Sequence, residues 1–259
     1  MLSKIQALLP GHPWKDRIQY FETIDSTNTY AKRLAISGAP EGTVIIADQQ
    51  TGGRGRLGRS FSSPANMGVY LSVILRPDCD PQELMHLTCA AGLAAVSAIG
   101  DPNIGIKWTN DLVKGKRKLG GILTELQVDP VTGKAAWVIV GIGINCCQRA
   151  DDFPEEIRDM ACSLGMDWQD VPQLVAALIR SLYQMSKDLL PQKVRIMEAF
   201  RGRCVTVGQE ISVLRGELVR HGKALSIGND GELIVQFTDG NTEAVASGEV
   251  SIRGMYGYI

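Results

Sequence analysis

The chain has 259 residues, of which 44% are apolar, and its formal net charge at pH 7 is -1. This length is enough for one large domain and a smaller one with a buried core. The balanced charge argues against tight general binding to nucleic acid or a membrane surface, so any anion site must be local. No apolar run of about 18 residues is present, and we expect neither a membrane-spanning helix nor a signal peptide.

The six cysteines and three histidines are scattered along the chain. No Cys-x-x-Cys pair occurs and the histidines are far apart in sequence, so neither a zinc site nor Cys/His catalysis is expected. Scattered cysteines are typical of buried thiols in a reducing compartment, which predicts a cytoplasmic location. For the adjacent Cys146 and Cys147 we expect the end of a strand, with one side chain inward and one outward.

The first 203 residues alternate segments of strand and helix character. Asp25 or Ser26 is a suitable N-cap before a helical pattern, and Pro81 suits the first turn of a long apolar helix. The predicted elements are, in chain order, a helix to about residue 37, strands at 44–47 and 68–76, the helix from Pro81, a strand at 104–108, a hairpin across 112–126, a strand at 136–144, and helices at 172–190 and 194–200. This order predicts a mixed α+β domain over residues 1–203.

From about Cys204 the pattern changes to short strands separated by turns. Strand-like segments follow one another at spacings of about 8–12 residues, with Asn-Asp-Gly and Asp-Gly turns between them. We therefore predict a small β-barrel of SH3-like size over residues 204–259.

The segment QTGGRGRLGRSF, residues 50–61, is the strongest chemical signal in the sequence. Its glycines let the backbone approach a ligand, while Arg54, Arg56 and Arg59 supply planar charged donors that match phosphate or carboxylate oxygens. It has neither the Gly-Lys-Ser/Thr ending of a Walker loop nor the spacing of a dinucleotide fingerprint. Taken alone, the segment also fits a solvated connector or an RNA contact.

Other polar residues stand near the ends of predicted strands. Residues 107–111, KWTND, follow one strand, Lys118 precedes two glycines, and Asn145 ends the strand at 136–144. A lysine beside glycines suits an oxyanion or phosphate, and Asp111 suits holding a lysine or helping to bind Mg²⁺. Each also has a structural interpretation: Trp108 as a core residue, Asp111 as a turn cap, and Asn145 as the partner of a buried backbone group.

Taken together, five ordered segments resemble those of biotin–protein ligases. They are Ser26-Thr27-Asn28, the loop from Gln50 to Arg59, Lys107-Trp108-x-Asn110-Asp111, Arg117-Lys118-Leu-x-Gly-Ile-Leu, and Gly141-x-Gly-Ile-Asn145. The resemblance covers nearly the whole chain, including the small C-terminal β-domain. It implies a catalytic domain of the class II synthetase/lipoate-ligase type over residues 1–203, which binds biotin and ATP, followed by the SH3-like barrel at 204–259.

The resemblance implies a biotin–[acetyl-CoA-carboxylase] ligase that uses biotin, ATP and Mg²⁺. Such enzymes form biotinyl-5′-AMP, release pyrophosphate, and pass biotin to a lysine of a biotin carboxyl carrier domain of acetyl-CoA carboxylase or another biotin-dependent enzyme. The biotin carboxylate must attack an α-phosphate, so cations are needed to offset the repulsion between two anions. The mixed anhydride must also be covered against water, which a mobile arginine-bearing loop can do.

The resemblance further implies which residues form the site. Biotin would contact Ser26, Thr27, Asn28, Gln50, Arg54, Gly55, Arg56 and Lys118. ATP or the adenylate would contact Arg54, Arg56, Arg59, Phe61, Lys118 and Asn145. Lys118, Arg54, Arg56 and Asp111 would be catalytic, and Asp111 and Asn145 would assist around Mg²⁺. Lys118, between the biotin carboxylate and the α-phosphate, is the residue on which the reaction should depend most.

Three positions depart from the family pattern. Leu57 replaces what can be another arginine, and Phe61 stands where a tryptophan is common. Cys146 and Cys147 follow Asn145 where a second asparagine is frequent, which weakens the expectation of a metal role for this turn.

Two other functions stay open, as does the assembly state. A lipoate or octanoyl ligase on the same fold is one alternative, and a non-catalytic nucleic-acid-binding protein is the other, although the net charge of -1 does not favour the wide basic surface that it needs. Only 24 residues precede Asp25, so we expect no N-terminal DNA-binding domain and no DNA partner. A homodimer is possible.

Overall fold

The computed structural model describes residues 1–247 and 251–254. Two β-sheets organise these residues: a seven-stranded mixed sheet and a five-stranded antiparallel sheet. This arrangement confirms the predicted α+β class. No helix in the described residues is both long enough and apolar enough to cross a membrane.

The described residues contain five α-helices and twelve strands. The helices are α1 (Leu2–Ala7), α2 (Thr27–Ile36), α3 (Leu87–Ile99), α4 (Val171–Asp188) and α5 (Lys193–Arg203). The strands of the larger sheet are β1 (Ile18–Ile24), β2 (Val44–Gln50), β3 (Gly68–Leu75), β4 (Ile104–Lys107), β5 (Asp111–Lys114), β6 (Arg117–Val128) and β7 (Ala135–Asn145). The strands of the smaller sheet are β8 (Glu210–Arg215), β9 (Leu218–Ile227), β10 (Leu233–Phe237), β11 (Thr242–Val245) and β12 (Ser251–Gly254).

Three parts of the first 203 residues differ from the prediction. Helix α1, at Leu2–Ala7, was not predicted. Strand β1, which was not predicted, is an edge strand paired in parallel with β2, and most of its residues are only partly buried, so no apolar run marks it. The helix predicted from Pro81 begins only at Leu87. Asp80 and Glu83 form a capping box that starts a short 3-10 turn at Pro81, and α3 follows that turn.

The larger sheet has the strand order β1-β2-β3-β7-β6-β5-β4, and helices cover both of its faces. Helix α2 packs on one face through Ala31 and Ala35, while α3 and α4 contribute to the main apolar cluster on the other. Strand β3, near the middle, is buried along its whole length. A central strand buried on both faces is a rigid base from which neighbouring loops can project.

The smaller sheet is joined to the larger one beside the KWTND segment. A β-bridge connects Ile106 to Cys204, and the indole N–H of Trp108 donates to the carbonyl of Gly231 at 2.8 Å. The backbone N–H of Trp108 also donates to Thr206 Oγ1 at 2.8 Å. Trp108 is therefore a buried residue that links the two sheets, which agrees with its interpretation as a core residue. The boundary between residues 203 and 204 stays a prediction.

Candidate ligand-binding site

A cavity of about 190 Å³ lies where the N-terminus of α2, the 50–61 loop and strands β6 and β7 meet. It brings together all but one of the predicted site residues. These are Ser26, Thr27, Asn28, Gln50, Arg54, Gly55, Arg56, Arg59, Phe61, Asp111 and Lys118. The smaller sheet also reaches this cavity, through the buried side chain of Ile252.

The floor of the cavity is a buried polar network at the start of α2. Ser26 caps the helix, its side chain accepting a hydrogen bond from the N–H of Thr29. Ser72 on β3 is completely buried, and its hydroxyl oxygen lies 2.8 Å from Thr27 Oγ1 and 2.6 Å from Asn28 Oδ1. Buried polar groups are usually satisfied in this way, and such networks hold side chains in one orientation. The sequence prediction missed Ser72, whose only signal is a hydroxyl inside an apolar strand.

Gln50 connects this floor to the loop. Its Oε1 accepts from the backbone N–H of Thr27 at 2.8 Å, while its Nε2 donates to Ser63 Oγ at 2.9 Å. Ser63 is buried just past the far end of the loop. The side chain of Gln50 therefore ties both ends of the loop to the start of α2.

Two glycines of β7 make room for side chains that shape the cavity. A Cβ at Gly141 would lie 1.9 Å from Asn28 Oδ1, and a Cβ at Gly143 would lie 2.6 Å from Cε1 of the Phe61 ring. Neither position admits a larger residue without displacing its neighbour. Phe61 consequently lies over β7, with its ring edge-to-face to Tyr70 at a centroid distance of 6.4 Å.

Contacts with other parts of the chain hold two of the loop's arginines in place. Arg54 pairs with Glu125 at 3.2 Å. Arg56 donates from Nη1 to Asn110 Oδ1 at 3.0 Å, and from Nη2 to the carbonyl of Ser247 in the C-terminal part of the chain. Burial lowers the pKa of Arg56, opposed by the Asp111 carboxylate, but a guanidinium keeps its charge in proteins. The loop thus carries fixed positive charge into the cavity.

Lys118 and Asp111 form an ion pair across β5 and β6, with Lys118 Nζ 2.6 Å from Asp111 Oδ1. Both side chains are partly exposed, so the ammonium group is accessible to a ligand. Lys118 also lines a second cavity of about 170 Å³, beyond the ring of Phe61. It is thus placed where ligands in the two cavities would meet.

Asn145 lines this second cavity and not the first. Its Nδ2 donates to the carbonyl of Cys162 at 3.0 Å, and its Oδ1 accepts from Gln148 Nε2 at 3.3 Å. Asn145 is therefore the partner of a backbone carbonyl, as its structural interpretation predicts, and it also lines the second cavity. Gln148, which the sequence analysis did not single out, is buried, and its Oε1 has no hydrogen-bond partner among the described residues.

The donor set around Asp111 fits a magnesium ion that arrives with phosphate groups. The described ranges contain no cluster of three or more His, Cys, Asp or Glu residues able to hold a metal ion. Asp111 and Asn145 line different cavities, and the Asp111 carboxylate faces Lys118 Nζ. Mg²⁺ is often held by one or two carboxylates together with substrate phosphates, and Asp111 satisfies that requirement.

These features are those of a site suited to a small ligand with an anionic group, between a buried polar floor and a cationic loop. Residues 20–145 match the family described as the Biotin/lipoate A/B protein ligase family. The bifunctional ligase/repressor BirA of Bacillus subtilis is 35% identical over 232 residues, which are 85% of this chain and 70% of BirA. The biotin–[acetyl-CoA-carboxylase] ligase of Mycobacterium tuberculosis is 31% identical over 257 residues, which are 95% of this chain and 92% of that ligase. The chain therefore belongs to the Biotin/lipoate A/B protein ligase family.

A solved structure shares the fold. The biotin protein ligase from Aquifex aeolicus, in complex with biotin and ATP, matches with a TM-score of 0.75 and 30% identity. The match covers 92% of this chain and 98% of that ligase, so the likeness includes both sheets.

Proposed function

We propose that this protein is a biotin–protein ligase, which activates biotin with ATP and transfers it to a lysine of a biotin carboxyl carrier domain. The observation that carries this proposal is the position of Lys118 between the two cavities. The relatives of this chain support biotin over lipoate as the substrate, because the ligase of Mycobacterium tuberculosis is named for biotin and the Aquifex aeolicus structure holds biotin and ATP.

The first cavity suits biotin. The hydroxyl and amide groups of Ser26, Thr27 and Gln50 both donate and accept hydrogen bonds, which matches a neutral urea. The ligand's carboxylate would then extend toward Lys118 and the arginine loop. The second cavity, whose walls include Phe61 and Asn145, would take the base of ATP, with the α-phosphate beside Lys118.

In this arrangement Lys118 offsets the charge on both reacting anions. A biotin carboxylate oxygen attacks the α-phosphorus, the bond to the bridging oxygen breaks, and pyrophosphate leaves with that electron pair. Fixed cations near the developing charge lower the barrier, because no reorganisation is needed as the reaction proceeds. Mg²⁺, held by Asp111 and the phosphates, would supply further positive charge.

The second step needs the anhydride to survive until the carrier arrives. The amine of the carrier lysine attacks the biotinyl carbonyl carbon and loses a proton to solvent; the bond from that carbon to the phosphate oxygen breaks, and AMP leaves with that electron pair. Arg54 and Arg56, held beside the cavity by their contacts to Glu125 and Asn110, would cover the adenylate against water until then. A cytoplasmic location and a carrier domain as partner belong to this proposal, and the homodimer stays a prediction.

The test is ATP-dependent labelling of a purified biotin carrier domain, followed by intact mass. We expect the mass increase of one biotin amide with biotin and none with lipoate. Labelling with lipoate at a comparable rate would move the protein to the lipoate branch of its family, and the absence of both products would overturn the proposal. A carrier domain whose target lysine is replaced by arginine is the matched control.

A further inference from the structure

Glu125 on β6 contacts two sides of the first cavity although no sequence motif points to it. One carboxylate oxygen accepts from Asn28 Nδ2 at 2.9 Å, and the other pairs with Arg54 Nη1 at 3.2 Å. Its side chain is only 20% exposed. Glu125 is thus a direct connection between the buried floor and the cationic loop.

The Asn28 end of this connection is rigid. Asn28 Nδ2 donates to the carbonyl of Leu123 at 3.2 Å as well as to Glu125, so both of its N–H groups are in use. Its Oδ1 faces the Ser72 hydroxyl and lies in the space that Gly141 leaves open. A side chain satisfied on every side has little freedom to turn toward a ligand. Asn28 therefore anchors Glu125 to the floor.

At the other end of this connection, Arg54 lies at the base of the loop and restrains it. Arg54 forms a β-bridge with Ser60, the N–H of Gly55 donates to the carbonyl of Arg59 at 2.7 Å, and the N–H of Phe61 donates to the carbonyl of Gly53 at 2.9 Å. Residues 53–61 thus form a small hairpin whose first strand begins beside Arg54. An ion pair at that point restrains the whole hairpin, because the other residues follow Arg54 through these backbone bonds.

We propose that Glu125 is a positioning residue that ties the base of the arginine loop to the floor and so sets where the loop rests before substrate binds. It touches neither reacting atom and acts through Arg54 and Asn28. The expected effect of Glu125 on catalysis rests on the proposed function, whereas its effect on the position of the loop concerns the ligand-free protein alone.

The first test is hydrogen exchange of the ligand-free Glu125→Gln variant. Glutamine keeps an acceptor for Asn28 but loses the charge that pairs with Arg54, so the floor should be preserved. We expect faster exchange of the amides of Gly55 and Phe61, with the exchange of β3 unchanged. Asp78→Asn, which removes an exposed ion pair to Lys134 elsewhere on the surface, is the matched control. Equal exchange of the loop in wild type and Glu125→Gln would overturn the proposal.

The second test separates binding from chemistry. Because the pair is partly exposed, we expect the KM for biotin to rise about three- to fivefold with a smaller change in kcat. Arg54→Gln should raise loop exchange similarly, and adding Glu125→Gln to it should change exchange no further. A fall in kcat at unchanged KM, or additive exchange effects, would contradict a positioning role. If wild type fails to label the carrier domain, the proposed function fails while the exchange result still decides this inference.

Discussion

The floor and the loop of the first cavity face the same space but are built in opposite ways. Ser72, Thr27 and Asn28 in the floor are buried and bonded to one another. In the loop, Arg54 and Arg59 are exposed, and Leu57 has a left-handed backbone with φ 55°, which is unfavourable for a leucine. A satisfied, buried network favours one geometry, whereas an exposed loop with few apolar contacts can open at low free energy.

This difference divides the work of the site. The rigid floor suits selection of the ligand, because its donors and acceptors are oriented before binding. The loop suits retention, since it can admit a ligand and then place charge over it. Lys118 belongs to neither the floor nor the loop, because it lies on β6 and lines both cavities. Replacing one residue in the floor, one in the loop and Lys118 itself tests whether the three have separate roles.

The largest effect is expected from Lys118→Ala. In the proposed mechanism, removing the ammonium group leaves the two reacting anions without their shared cation, so adenylate formation should fall by about a thousandfold. Its side chain is 33% exposed, so the fold should persist. Pyrophosphate release measures the reaction, and a thermal melt checks the fold. Near-normal pyrophosphate release from a folded variant would show that Lys118 has no such role.

Gly141→Ala tests the rigidity of the floor. The added Cβ would meet Asn28 Oδ1 at 1.9 Å, so Asn28 must move and its network must be disturbed. We expect a loss of about 1–3 kcal/mol in the free energy of unfolding and weaker biotin binding, measured by denaturant titration and calorimetry. Gly202→Ala in α5, where a Cβ meets nothing within 4 Å, is the matched control. Equal stability of the two variants would mean that the floor can adapt.

Arg56→Gly tests retention by the loop. The change removes the contacts to Asn110 and to the carbonyl of Ser247, which hold the loop against the rest of the site. The adenylate should then escape, and biotinylation of a bystander protein should rise by roughly tenfold. Mass spectrometry of added serum albumin measures this, with Arg195→Gly, at an exposed position of α5 that lines neither cavity, as the control. Bystander labelling no higher than that of wild type would contradict the proposal that the loop covers the adenylate.

The loop could be predicted from the sequence because its composition is unusual for the chain as a whole. Arginines between glycines need no tertiary information to be recognised as a candidate anion site, and all three loop arginines do line the cavity. Lys118 and Asp111 could also be recognised, because they lie close together in sequence at the ends of predicted strands, and the structure pairs them across adjacent strands at 2.6 Å.

The floor was only half predictable. Ser72 and Glu125 are single polar residues in unremarkable segments, and their roles arise from side chains that the fold brings next to them. The family resemblance groups Asn145 with Asp111 around Mg²⁺. In the structure Asp111 lines the first cavity and Asn145 the second, and no spacing along the chain predicts that difference.

The smallest effect concerns Cys146, which lies immediately after Asn145 on the rigid side of the site. Its side chain is fully buried, and burial raises the pKa of its thiol to about 12. Because only the thiolate reacts, iodoacetamide at pH 8 should leave Cys146 unmodified in the native protein, while the partly exposed Cys162 reacts faster than Cys146. Peptide mass spectrometry compares the two, and denaturant should abolish the difference. Equal native rates would mean that the segment after β7 opens as readily as the loop, and the contrast between rigid floor and mobile cover would not extend to this end of the site.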